Sequence, residues 1–113
     1  MLRPTHLMIS AVAAIMTSPA YAECSSPPAV AVPNGATATS EEMVEAQTYI
    51  KQYMAEMELY LGCLDQEEAA LSEPPTDEQK LQHTQLHNQA VDSMENVATK
   101  FNEQVRVFKK SNP

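Results

Sequence analysis

Between residues 43 and 71 an apolar side chain recurs at alternating intervals of three and four. The series is Met43, Ala46, Ile50, Tyr53, Met57, Tyr60, Leu64 and Leu71, broken only at Glu67. An α-helix places such positions on one face, and that face has to be covered by something. Met54 and Leu61 widen the seam into a broad face, which suits a helical bundle better than a two-stranded coiled coil. Thr39 with Glu42 forms a capping box, so this first helix is expected to begin at about residue 40. Ser72-Glu73-Pro74-Pro75 ends it at about residue 71, because proline cannot continue a helix.

Thr76 and Gln79 form a second capping box, and a second helix is expected over about 77–110. Its stripe is Val91, Met94, Ala98, Phe101, Val105 and Phe108, and Lys109 and Lys110 suit its negative end. Two helices of similar length joined by a short loop, 72–76, predict an antiparallel hairpin over 40–113. A β-rich fold would want more than two glycines and more β-branched residues. One of those glycines, Gly62, interrupts the first helix, which costs about 1 kcal/mol relative to alanine. It adjoins Cys63, and a missing side chain there would let another backbone approach.

The chain opens with Arg3, then the apolar run Leu7–Met16, then a break at Thr17-Ser18-Pro19 and the small-residue site Ala20-Tyr21-Ala22. This is the layout of a secretory signal peptide over residues 1–22. The run is too short to span a bilayer, which takes about 20 apolar residues. Lipid attachment at Cys24 is disfavoured, because the charged Glu23 would stand directly before the cysteine. Cleavage after Ala22 leaves 91 of the 113 residues, one small domain beginning at Glu23. Without Arg3, six Lys and Arg stand against 15 Asp and Glu, a net charge of −9. Such a charge argues against nucleic acid and anionic membranes as partners. With no later apolar run of membrane-spanning length, no stable membrane insertion is expected.

Cys24 and Cys63 are the only cysteines. An even count in an exported chain reads as a disulfide, and the pair fits neither a CxxC redox motif nor a haem site. Residues 23–39 carry Pro27, Pro28 and Pro33 and are expected to be extended, with a turn at Asn34-Gly35. Such a tail can reach roughly 45 Å at about 3.1 Å per residue. Cys63 lies roughly 35 Å along the first helix. The tail can therefore fold back and be stapled to Cys63, with Ala29, Val30, Ala31 and Val32 covering apolar surface. The expected fold is thus all-α: an antiparallel two-helix hairpin with a disulfide-stapled, proline-rich N-terminal tail.

The stretches EEMVEAQTYIKQYMAEMELYLGCLDQE and HNQAVDSMENVATKFNEQVRVFKK resemble a group of small exported proteobacterial proteins of unassigned function. The resemblance spans most of the mature chain, including both cysteines. It implies a Gram-negative periplasmic location and brings no activity or site residues with it.

Three groups of residues could carry function. His83 and His87 stand one helical turn apart and could share a zinc or copper ion. Thr84 stands where the HExxH motif needs glutamate. Soft ligands would have to come from Met54, Met57 or Met94, and the alternative is polar histidines beside core methionines. Tyr49, Tyr53 and Tyr60 could form a partner surface, or instead half-buried contacts within the chain. Asp65, Glu67, Glu68, Glu73, Asp77 and Glu78 cluster at the hairpin bend, where nothing local would raise one pKa for acid–base work. No glycine-rich phosphate loop or nucleophile elbow is present. The expectation is a binding or structural module that engages protein, without catalysis or a cofactor. Its partner would be a second copy or another helical protein. The alternative is a periplasmic zinc or copper binder using His83 and His87.

Overall fold

The computed structural model describes residues 24–113. The signal peptide and cleavage site expected over residues 1–22, and Glu23, lie outside the described residues. Two helices make up the fold, α1 (Ser40–Ala69) and α2 (Asp77–Ser111), and no strand occurs among the described residues. Both starts are fixed by capping boxes. Thr39 Oγ1 accepts from the Glu42 amide at 3.1 Å, and the Thr39 amide donates to the Glu42 carboxylate at 3.4 Å. Thr76 and Gln79 repeat the arrangement at 3.1 and 2.9 Å. Each box satisfies two of the amides that a helix start leaves unpaired.

The first helix is two residues shorter than expected. Ala70 caps it by donating its amide to Gln66 and Glu68 carbonyls, and Leu71 falls in the connection, 38 % exposed. No glycine stands there to reverse the chain, and the Leu71 amide donates to the Glu68 carbonyl at 3.3 Å. At the other end α2 runs one residue past Lys110, to Ser111, with Asn112 donating from its backbone and its side chain to the Phe108 carbonyl.

The core lies along α1. Met43, Ala46, Ile50, Tyr53, Met57, Tyr60 and Leu64 are all buried, whereas α2 contributes only Ala90. The α2 stripe, including Val91, Met94, Ala98, Phe101, Val105 and Phe108, is half-buried throughout. The asymmetry has a simple cause: α1 is covered from two sides. Leu86, Met94 and Val97 reach its buried cluster from α2, while Cys24 and Val30 reach it from the segment that precedes α1.

That segment holds three points of attachment. Cys24 is bonded to Cys63 with the Cα atoms 5.7 Å apart, within the usual range for a disulfide. Val30 packs beside Tyr53, and Val32 is half-buried while Ala29 and Ala31 face solvent. This every-second-residue alternation is that of an extended chain, so only the two valines of the four small apolar residues do any covering. The Gly35 amide donates to Gln104 Oε1 at 2.8 Å, near the C-terminal end of α2.

Gly35 serves close approach rather than unusual dihedrals. Its φ is negative, and the turn is closed by Asn34, which accepts from the amides of Ala36, Thr37 and Ala38. A side chain at Gly35 would run into the Gln104 carbonyl and the Phe108 amide. These are backbone atoms that cannot step aside. Gly35→Ala should therefore lower stability by about 1–3 kcal/mol, the usual cost of overpacking, read as a drop in urea midpoint at unchanged slope.

Candidate functional site

The last turn of α1 is acidic, with Asp65, Glu67 and Glu68 and no basic residue. Carboxylates at a helix C-terminus oppose the helix dipole, so a cation or a strong donor is wanted there. The antiparallel hairpin delivers one. His83, in the second turn of α2, places Nε2 3.2 Å from Asp65 Oδ1 and Nδ1 3.1 Å from Glu68 Oε2. Carboxylates only accept hydrogen bonds, and a neutral imidazole has a single N–H. Both contacts become hydrogen bonds together only in the imidazolium form. The pairing crosses from α1 to α2 beside the bend and ties the two helix ends.

Beside this pairing lies an open cleft of about 360 Å³. Leu64, Leu71 and Leu86 provide its apolar lining, and Glu67, Glu68, Gln79, Gln82 and His83 its polar one, with Cys24 at one side. No hydroxyl or free thiol lines it, because Cys24 is held in the disulfide. The lining can hold a group by apolar contact and hydrogen bonding.

His87 stacks near His83, with ring centroids 6.4 Å apart and planes 29° from parallel. A metal site would need further ligands to converge with this pair. Asp65 and Glu68 do approach, but they meet opposite edges of the His83 ring and so do not point at a common centre. Among the described residues no three His, Cys, Asp or Glu side chains are arranged to hold an ion. Met57 is only 2 % exposed within the core, and Met54 and Met94 pack against the same cluster.

The three tyrosines part company. Tyr53 and Tyr60 are 4 and 8 % exposed and belong to the core, so neither presents a surface to a partner. Tyr49 is 54 % exposed and donates its hydroxyl to Glu45 Oε1 at 3.2 Å. It borders a groove of about 280 Å³ between α1 and Pro28–Ala31. The periodicity that put Tyr53 and Tyr60 in the apolar stripe carried their burial, and Tyr49 stands outside that stripe.

A further surface escaped the reading of the inward stripe. Val44, Thr48, Gln52, Ala55, Leu59, Gly62, Gln66 and Ala69 are all exposed, and all lie on the side of α1 opposite its buried face. The outward side of a surface helix is normally charged, yet none of these residues is. Val44 is 61 % and Leu59 75 % exposed. The signal was in the sequence as an absence: from Val44 to Ala69, past Glu41, the 3,4 series on the outward side of an otherwise acidic helix holds no charge. Compared with protein families, curated proteins and solved structures, the chain finds no match.

Calorimetry with zinc and with copper on the oxidised protein tests the histidine pair. We expect no saturable site tighter than micromolar, since two imidazoles leave a tetrahedral ion two ligands short. One-to-one binding below micromolar that disappears in a His83→Ala/His87→Ala variant would show the opposite.

Proposed function

We propose that the protein is an exported, periplasmic helical module that acts by binding another protein, with no catalytic role. The observation that carries this reading is the uncharged outward face of α1. Export is supported by the signal-like segment 1–22 and by the disulfide, which persists in oxidising compartments. No helix among the described residues is long and apolar enough to cross a membrane. The tail acts as a strap rather than as a ligand-binding arm: its cysteine, Val30 and Gly35 are spent on holding α1 and α2 together. What the strap leaves free is the opposite side of α1, where Leu59 and Val44 stand in solvent beside Ala55 and Gly62. Exposed apolar side chains set among uncharged ones suit the contact face of a helical partner.

A zinc- or copper-binding role is the second reading. The placing of His87 beside His83 favours it, but Asp65 and Glu68 engage both ring nitrogens of His83, which would have to give up one of those contacts to reach an ion.

A photo-reactive benzophenone side chain placed at position 59 tests the principal reading in cells that export the chain. We expect cross-linked adducts of defined mass at position 59 and none at the exposed control position 96. The adducts should vanish when Gly62 is also changed to leucine. Absence of any adduct at position 59 would contradict the reading.

A further inference from the structure

Gly62 is the unexplained residue of this fold. It sits inside α1, where glycine weakens a helix relative to alanine. Nothing lies within 4 Å of where its Cβ would be, so no contact within the chain requires its small size. Its place on the outward face supplies a reason, and so does the order of residues around it.

From Thr48 to Ala69 the outward face follows an unbroken 4,3 alternation: Thr48, Gln52, Ala55, Leu59, Gly62, Gln66, Ala69. Read from either end, the pattern is nearly the same. Two copies of α1 laid antiparallel with Leu59 on the two-fold axis would place Leu59 on Leu59 of the second copy. Ala55 would then face Gly62, Gln52 would face Gln66, and Thr48 would face Ala69. A two-fold interface has to be self-complementary in this way. The small residues flanking Leu59 let the helix axes approach closely, toward the lower end of the usual range of about 8–10 Å. Paired glutamine amides can donate and accept in both directions, and the two polar layers they form, one on each side of the axis, fix register at some loss of affinity.

The charges that border the face agree with the antiparallel arrangement. Lys51, Glu58 and Asp65 run along one edge at seven-residue intervals. In the antiparallel pair Lys51 of each copy meets Asp65 of the other, giving two attractive contacts. Glu58 meets Glu58 near the axis, one repulsive contact. The parallel arrangement would bring Lys51 toward Glu56, but it would align the two helix dipoles and stack Gly62 on Gly62, leaving a void where the antiparallel pair fits Ala55. Asp65 is 68 % exposed at its side chain, so one carboxylate oxygen can serve His83 and the other the second copy.

We propose that the partner of this face is a second copy of the chain, paired antiparallel through α1 about Leu59. The proposal rests on the binding-module reading above and specifies its occupant.

Sedimentation equilibrium on the oxidised, processed protein tests it. We expect reversible dimerisation with a dissociation constant in the micromolar range. Leu59→Glu and Gly62→Leu should each raise that constant at least tenfold. At concentrations well below that constant, where parent and variants are all monomeric, both variants should melt no lower than the parent, because Leu59 is 75 % exposed and the space at Gly62 is open. Glu58→Gln should lower the constant about twofold at low ionic strength by removing the repulsion at the axis, in the range of a surface charge pair. A chain that stays monomeric to millimolar concentration would overturn the proposal while leaving a heterologous partner open to the cross-linking experiment. A dimer indifferent to Leu59→Glu and Gly62→Leu would overturn the face, and one unchanged by Glu58→Gln would overturn the orientation.

Discussion

The bond between Cys24 and Cys63 holds the third element of the fold against α1. A domain of this size buries a smaller share of its surface than a larger one and has little margin. Two helices alone would leave the broad stripe of α1 covered along one edge only. The disulfide brings a third element against the other edge. It closes a 39-residue separation, and fixing such a loop in the unfolded chain is worth about 4 kcal/mol in the chain-entropy model. That is a large share of the 5–15 kcal/mol typical of folded domains. Val30 docks on the core of α1 from the same segment. Gly35 completes the strap at the far end, with its amide on Gln104 and its bare Cα against the backbone of α2.

The same arrangement divides α1 into two working sides. One carries Met43, Ile50, Tyr53, Met57, Tyr60 and Leu64 into the interior. The other carries Leu59, Ala55 and Gly62 outward with no charge among them. A helix locked by a disulfide and by docking at both ends offers that outward side as a preformed surface. Less ordering is then lost on binding than with a free helix. The His83 contacts with Asp65 and Glu68 belong with the locking devices. They engage two of the three acids that α1 carries at its own negative end, and they tie the second turn of α2 to the last turn of α1.

Much of this was legible in the sequence, for identifiable reasons. Thr39 with Glu42 and Thr76 with Gln79 are local signals, since the partners stand three residues apart, and both helix starts follow from them. The 3,4 alternation named all seven buried residues of α1, because burial and periodicity have the same cause. Leu71 continued the spacing but not the helix, as the capping at Ala70 depends on backbone geometry that spacing does not carry. Gly35 read as a turn residue, whereas its stronger constraint is the approach of α2, some 70 positions away in the chain. The acids at the bend read as a cluster without acid–base chemistry, and nothing local could indicate that His83 would reach two of them. Reflecting the hairpin about its loop would have set 65 and 68 near 83, given the observed helix ends. Tyr49, Tyr53 and Tyr60 look alike as residue types, and only the stripe separates the two buried ones from the exposed one.

Hydrogen exchange, compared between the oxidised protein and the protein with its disulfide reduced and alkylated, bears most directly on the role of the strap. Amides of α1 between Ile50 and Leu64 should be among the best protected in the oxidised form, since this stretch holds most of the buried cluster. Reduction should cost them at least a hundredfold in protection, corresponding to about 2.7 kcal/mol of the closure term at 1.36 kcal/mol per decade. Protection across these residues that survives reduction unchanged would contradict the account, because the hairpin would then hold its core without the tail.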